Sequence, residues 1–284
     1  MIPSLPITGF GAPPRPPGRI QGADVQPPDL PAALSRRTVP LPPGRLVHGE
    51  DDDTPILWLS DAPATVGLWQ SLYAAHPAGG LYPILLDHLP GDPRRPWDDG
   101  ELWPGLMSSP DDHDAAEVLA GRWTANADPS RAAVPVTTPF GAEWPGLADP
   151  IRPGTDPDEQ AVEGVRALLA RDPSLRLGLV AAARGSDAVA VCGWTGPVNH
   201  DNDTAKYAAV LRSWERRFGV RLIALGFADL RLSVAAPPTD DDECLRVAAE
   251  HFAFAPDNIV QGTSPLSRYA TNLLYEPIWS FWWD

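Results

Sequence analysis

Proline sets the hardest limit on what this chain can fold into, because each one removes a backbone donor and fixes φ. Twelve of the 35 prolines fall in the first 50 residues, in runs such as Pro13-Pro14-Arg15-Pro16-Pro17, Pro27-Pro28 and Leu41-Pro42-Pro43. That composition favours extended or polyproline II backbone and is not expected to pack as a unit by itself. Residues 1–50 therefore read as a tail or as a proline-rich arm laid over the rest. It is either a plain linker or, through the PxxP spacing beside Arg15, a ligand for an SH3-type groove.

Beyond the arm, hydrophobic spacing divides the chain into an acidic, loop-rich α/β region over 51–155 and a more regular α/β domain over 156–284. Apolar runs at 56–59 and 81–86 flank a helical pattern that carries Val66, Trp69, Leu72 and Tyr73, which predicts strand, helix, strand with a crossover. Residues 88–112 and 135–153 have loop composition, and a short helix is expected over 114–123. Further on, helices are expected at 158–171, 204–218, about 240–254 and 267–274. Strands are expected at 175–183, 187–194, 220–227 and 230–234, with hairpins joining each pair. In the last of these, Leu230, Leu232 and Val234 alternate with Arg231 and Ser233, which predicts one wet face. The terminal Trp279-Ser280-Phe281-Trp282-Trp283 run is too apolar for a loose tail and is expected to close the sheet. The fold class is α/β, with α+β as the alternative: a mixed sheet with flanking helices.

Charge excludes one large class of partner. The net charge is −15, whereas a phosphate-backbone binder needs an excess of Lys and Arg, so no nucleic acid is expected. The excess is local. Residues 1–50 hold five arginines against three acids, residues 51–172 seven against 21, and residues 173–284 ten basic residues against 13 acids. Two cysteines, Cys192 and Cys244, are too few and too far apart for a disulfide scaffold or a metal-binding CxxC pair. With no apolar run long enough for a membrane span, a reduced cytoplasmic setting is expected. Nothing in the sequence asks for a cofactor or a metal.

Three stretches together resemble a known family. They are Ala209-Val210-Leu211-Arg212-Ser213-Trp214-Glu215-Arg216-Arg217-Phe218-Gly219, Ala248-Ala249-Glu250-His251-Phe252-Ala253-Phe254-Ala255-Pro256-Asp257-Asn258-Ile259 and Trp279-Ser280-Phe281-Trp282-Trp283-Asp284. Over about residues 160–284 the chain resembles the bacterial, often actinobacterial, domain of unknown function 4253. That resemblance implies a C-terminal α/β domain and brings no activity with it.

Three constellations could carry chemistry or recognition. Glu250, His251, Asp257 and Asn258 form the densest polar cluster; a histidine oriented by a carboxylate is the minimum for general acid or base work, and a helix cap is the plain alternative. The loop of Asn199, His200, Asp201, Asn202, Asp203 and Thr204 lies before a helix, where α/β proteins bind ligands. It lacks the glycine and glutamate of an EF-hand, and a helix-start cap would equally explain it. Trp97, Asp98, Asp99 and Trp103 lie in the acidic middle and could meet a basic protein; alternatively these tryptophans pin loops to the core. No GxSxG, HExxH, P-loop or complete GxGxxG occurs. Two expectations follow. The first is a non-enzymatic interaction module, immunity- or adaptor-like, whose acidic, Trp-bearing surface binds a basic protein. The second is an enzyme or small-ligand binder with a polar pocket made by the 199–204 loop and Glu250, His251 and Asp257.

Overall fold

Seven strands form one mixed sheet in the computed structural model, which describes residues 29–50, 53–127 and 136–284. They are β1 Gly44–His48, β2 Pro55–Pro63, β3 Leu81–Leu86, β4 Arg176–Ala181, β5 Val220–Leu225, β6 Asp229–Val234 and β7 Ile278–Trp282. Their order is β1-β2-β4-β3-β5-β6-β7. All neighbours are antiparallel except β3 and β5. The arm, the acidic middle and the C-terminal part thus contribute strands to the same sheet, and the three sequence segments are not separate folding layers.

Among the described residues eight α-helices cover the two faces: α1 Leu30–Ser35, α2 Val66–Gly79, α3 Ala115–Asn126, α4 Pro157–Arg171, α5 Ala188–Val191, α6 Ala205–Phe218, α7 Asp241–Phe254 and α8 Leu266–Ala270. On one face α1, α2 and α4 bury Leu30, Trp69 and Val165 against Leu85, Leu179 and Ile223. On the other, α3, α6 and α7 bury Trp123, Trp214 and Phe252 with Leu232, Trp279 and Phe281. Local sequence sets the helix ends. Asp156 accepts from the Asp158 and Glu159 amides ahead of α4. At α7, Asp240 accepts from the Glu243 amide while the Glu243 carboxylate reaches back to the Thr239 amide, a reciprocal cap. Gly219 closes α6 in the left-handed region, φ 61°.

Residues 29–50 lie against the rest of the fold: Leu30, Ala33 and Val47 are buried between the prolines, and β1 pairs with β2. The PxxP run at 13–17 lies outside the described residues. Other expectations are corrected. No strand or hairpin forms over 187–194; a 3-10 turn leads into α5, whose apolar residues are buried in the core. A short apolar run does not distinguish strand from buried helix by spacing. Strands β2 and β3 are parallel as a crossover requires, but β4 lies between them. The face of β6 expected to be wet is covered at Ser233, because α4 approaches it through Gly164, where a Cβ would stand 3.2 Å from the Ser233 Cβ.

Strand β7 closes the sheet, and its outer edge is sealed by side chains. Asn258 donates to the Ser280 carbonyl at 2.6 Å and accepts from the Trp282 amide at 3.0 Å. Asp257 accepts from the Asp284 amide at 2.9 Å. Two consecutive side chains thus take the place of an eighth strand, which blunts an edge otherwise open to pairing.

Candidate functional site

The parallel pair β3 and β5 is joined only at its C-terminal end, through Leu85 with Ala224 and Leu86 with Leu225. Toward their N-termini the strands are held together by the Tyr82 phenol, which donates to the Leu222 carbonyl at 2.8 Å. Above that gap opens a crevice of about 890 Å³ between α2, α4, α6 and the turn after β4. Its size is that of a small-molecule site. Gly185 lets the turn lie on the Tyr82 ring, where a Cβ would come within 2.2 Å.

Polar groups converge in this crevice. Tyr73 donates to Asp158 at 2.8 Å, and the Arg221 Nε reaches both Tyr73 at 3.0 Å and Asp158 at 2.9 Å. Burial pushes the Tyr73 phenol above its ordinary range against the pull of Arg221. Glu215 accepts from the Ser186 amide at 3.1 Å. Burial raises its carboxyl above the usual range, outweighing Arg221 and the Ser186 hydrogen bonds. His76 places Nε2 2.8 Å from the Ala182 carbonyl oxygen. That oxygen can only accept, so Nε2 is the donor. Burial, an aromatic wall and a carboxyl raised by burial make this the place where the protein offers unused polar chemistry.

The residues singled out from sequence are brought together only in part. Glu250 is fully buried and receives Trp214 Nε1 at 2.8 Å, the Ala148 amide at 2.7 Å and a two-pronged Arg217 at 2.6 and 2.7 Å. Its oxygens are occupied by the fold. His251 is enclosed by Trp214, Trp279 and Phe281, and burial lowers it to about 3. It takes no proton near neutral pH, which corrects its reading as a general acid or base. Asp257 does meet the 199–204 loop, through His200 at 2.8 Å, while Asn258 serves the β7 edge. Asp201 turns instead to Lys206 and Arg122. Burial opposes its ionisation, but Lys206, the Asp203 amide and Arg122 outweigh that and hold the carboxyl low. Asn199 is exposed. Asp203 accepts from the Ala205 amide at the start of α6, as a cap would. The expected single pocket of this loop with Glu250 and His251 does not assemble, because the latter two point into the core.

The acidic middle is likewise drawn inward. Trp97 is buried and donates to the Asp87 carbonyl. Trp103 is half-buried, with its amide on the Gly193 carbonyl. Asp98 pairs with Arg45 and Arg176, and Asp99 with Arg94. A partner could not reach Trp97, which corrects its assignment to a docking surface, and the arginines of other segments answer part of the acidity.

Ser108, His113 and Asp203 also meet, with Ser108 Oγ 2.6 Å from His113 Nε2 and 2.7 Å from Asp203 Oδ2. The order is wrong for a nucleophile triad, since the carboxylate takes the serine proton rather than orienting the histidine. Cys192 is buried at the end of α5, and burial pushes its thiol up to about 12, an inert setting. Among the described residues no group of three His, Cys, Asp or Glu could hold a metal ion, and no helix is long and apolar enough to cross a membrane.

Sequence reasoning passed over the crevice residues. Tyr73 sits on the apolar stripe of α2, and Glu215 lies off the stripe of α6 as a solvated residue would. One signal was available: Arg221 interrupts the buried strand β5, and a charged residue in such a strand needs a partner. No curated protein and no solved structure matches the chain. Residues 176–284, from the first residue of β4 through the sealed edge at β7, match the family model described as Domain of unknown function (DUF4253).

Proposed function

We propose that this protein is a cytoplasmic small-ligand-binding protein whose site is the crevice where β3 and β5 part. The observation that carries this reading is Glu215, a carboxyl raised by burial in a roughly 890 Å³ crevice, beside Tyr73 and Arg221. Folding alone gives little reason to keep a desolvated carboxylate without a direct cationic partner, whereas a ligand would supply one. The two cysteines, both buried and unpaired, suit a reducing compartment. Recognition of a basic protein by the acidic middle has less support, since its aromatic centre is buried.

A metabolite library screened by thermal shift tests the reading, because a ligand that binds only the folded state raises Tm by mass action. Val162 lines the crevice on α4 without using a polar group. Val162→Trp is expected to fill the crevice and abolish the shift while the ligand-free Tm is kept. A ligand that binds Val162→Trp as tightly as the parent protein would place the site elsewhere.

A further inference from the structure

The crevice also presents charges that the fold leaves unpaired, and their signs are mixed. Arg221 pairs with Asp158 and Arg166 with Glu163. Glu215, Arg184 and Arg216 also line the crevice, and none of the three forms an ion pair with another described residue. They are neighbours. Arg216 follows Glu215 on α6, and Arg184 stands two residues before Ser186, whose amide donates to Glu215 at 3.1 Å. A carboxylate and two guanidiniums that line one crevice without pairing with each other suit a ligand carrying both charges on adjoining atoms.

We propose that the crevice binds a free α-amino acid, its ammonium on Glu215 and its carboxylate between Arg184 and Arg216. This rests on the small-ligand reading of the same site and narrows it to one chemical class. The ammonium supplies Glu215 with the cation it lacks and three donors, of which the free carboxylate oxygen can take at least one. The two arginines offer planar forks to the ligand carboxylate. Tyr73 and Tyr82, with ring centroids 5.8 Å apart, and the Val162 side chain form an apolar wall for the ligand's side chain. A phosphate ester fits worse, because its second negative charge would face Glu215 and no glycine loop presents amides to it.

Thermal shift and calorimetry with the common L-amino acids at millimolar concentration test the assignment, each compared with its N-acetyl and its carboxamide derivative. At least one amino acid should raise Tm, and both derivatives should bind at least about tenfold more weakly, each having lost one charged hydrogen-bonded contact. Glu215→Gln should weaken the amino acid by a similar factor and leave its N-acetyl derivative unaffected. Arg184→Ala, at an exposed position, should weaken the amino acid and leave its carboxamide unaffected, which keeps the test informative if Glu215→Gln folds poorly. An N-acetyl derivative that binds as tightly as its parent overturns the assignment. If no amino acid binds but another ligand is lost in Val162→Trp, the ligand class falls and the crevice stands; if nothing binds, both fall.

Discussion

Glu250 on α7 is fully buried and Glu215 on α6 is half-buried, and the fold treats them in opposite ways. Around Glu250, a guanidinium, an indole and a backbone amide saturate the carboxylate, and every partner belongs to the chain. Around Glu215 the Ser186 amide donates at 3.1 Å, no ion pair with a described residue forms, and burial pushes the carboxyl up against Arg221 and Ser186. A saturated buried charge joins parts of the molecule. An unsaturated one at the wall of a crevice is left for something else. The density of polar residues in the sequence pointed to the first region, while the geometry points to the second.

The largest effect should come from breaking the saturated region. Glu250→Ala leaves Arg217, with only 10% of its side chain exposed, facing an empty site, and should cost about 3–5 kcal/mol. Urea denaturation measures this directly. A loss under about 1 kcal/mol would mean that Arg217 finds water, and the contrast with Glu215 would shrink accordingly.

Next to Glu250, His251 should make the same region sensitive to acid. Its folded value of about 3 lies below the ordinary 6.5, so below about pH 6.5 the unfolded chain takes up a proton that the folded chain refuses. Stability is therefore complete above pH 6.5 and falls as the pH drops toward 3, by about 1.4 kcal/mol per pH unit. His251→Phe removes this term. Between pH 7 and pH 5 the parent should lose about 2 kcal/mol more than the variant, and equal losses would show that His251 opens to water.

The architecture was largely legible where a single rule governs a residue. The helices at 158–171, 204–218 and about 240–254 and the strands at 56–59, 81–86, 220–227 and 230–234 formed within a few residues of their expected bounds, whereas the apolar run at 187–194 became a buried helix. What was hidden depends on the order of the sheet. That β4 would enter between β2 and β3 is not written in any local pattern. Nor is the parting of β3 from β5, which brings Tyr73, Glu215 and Arg221 together across almost 150 residues of sequence. The same limit explains Glu250 and His251: the helix is legible, but its burial between α6 and β7 follows from tertiary packing. Within the arm, the anchors of residues 29–50, Leu30, Ala33 and Val47, are too sparse among the prolines to show as a pattern.

A smaller effect should appear at the β7 edge, which ends the saturated half of the molecule. Asn258→Ala removes both bonds to the strand, and water can reach the freed Ser280 and Trp282 groups once the side chain is gone. About 1–2 kcal/mol should be lost. The clearer readout is concentration-dependent light scattering, since an uncovered edge strand offers a template for pairing. Scattering identical to the parent's would mean that the edge is protected by other means.

Glu215→Gln should move stability least, and in the direction opposite to Glu250→Ala. A carboxyl whose folded value is raised binds its proton more tightly in the folded chain than in the unfolded one. At pH 7, where the unfolded carboxyl is ionised, keeping the folded carboxyl ionised or protonating it works against folding, and an uncharged amide of the same shape removes that cost. The variant should therefore unfold at the same urea concentration as the parent or slightly above it. The difference should vanish as the pH falls through the ordinary glutamate range, because both states are then protonated. Loss of stability at pH 7 would show that the Glu215 charge is held by partners of the folded chain, as that of Glu250 is, and the reason for assigning it to a ligand would be gone.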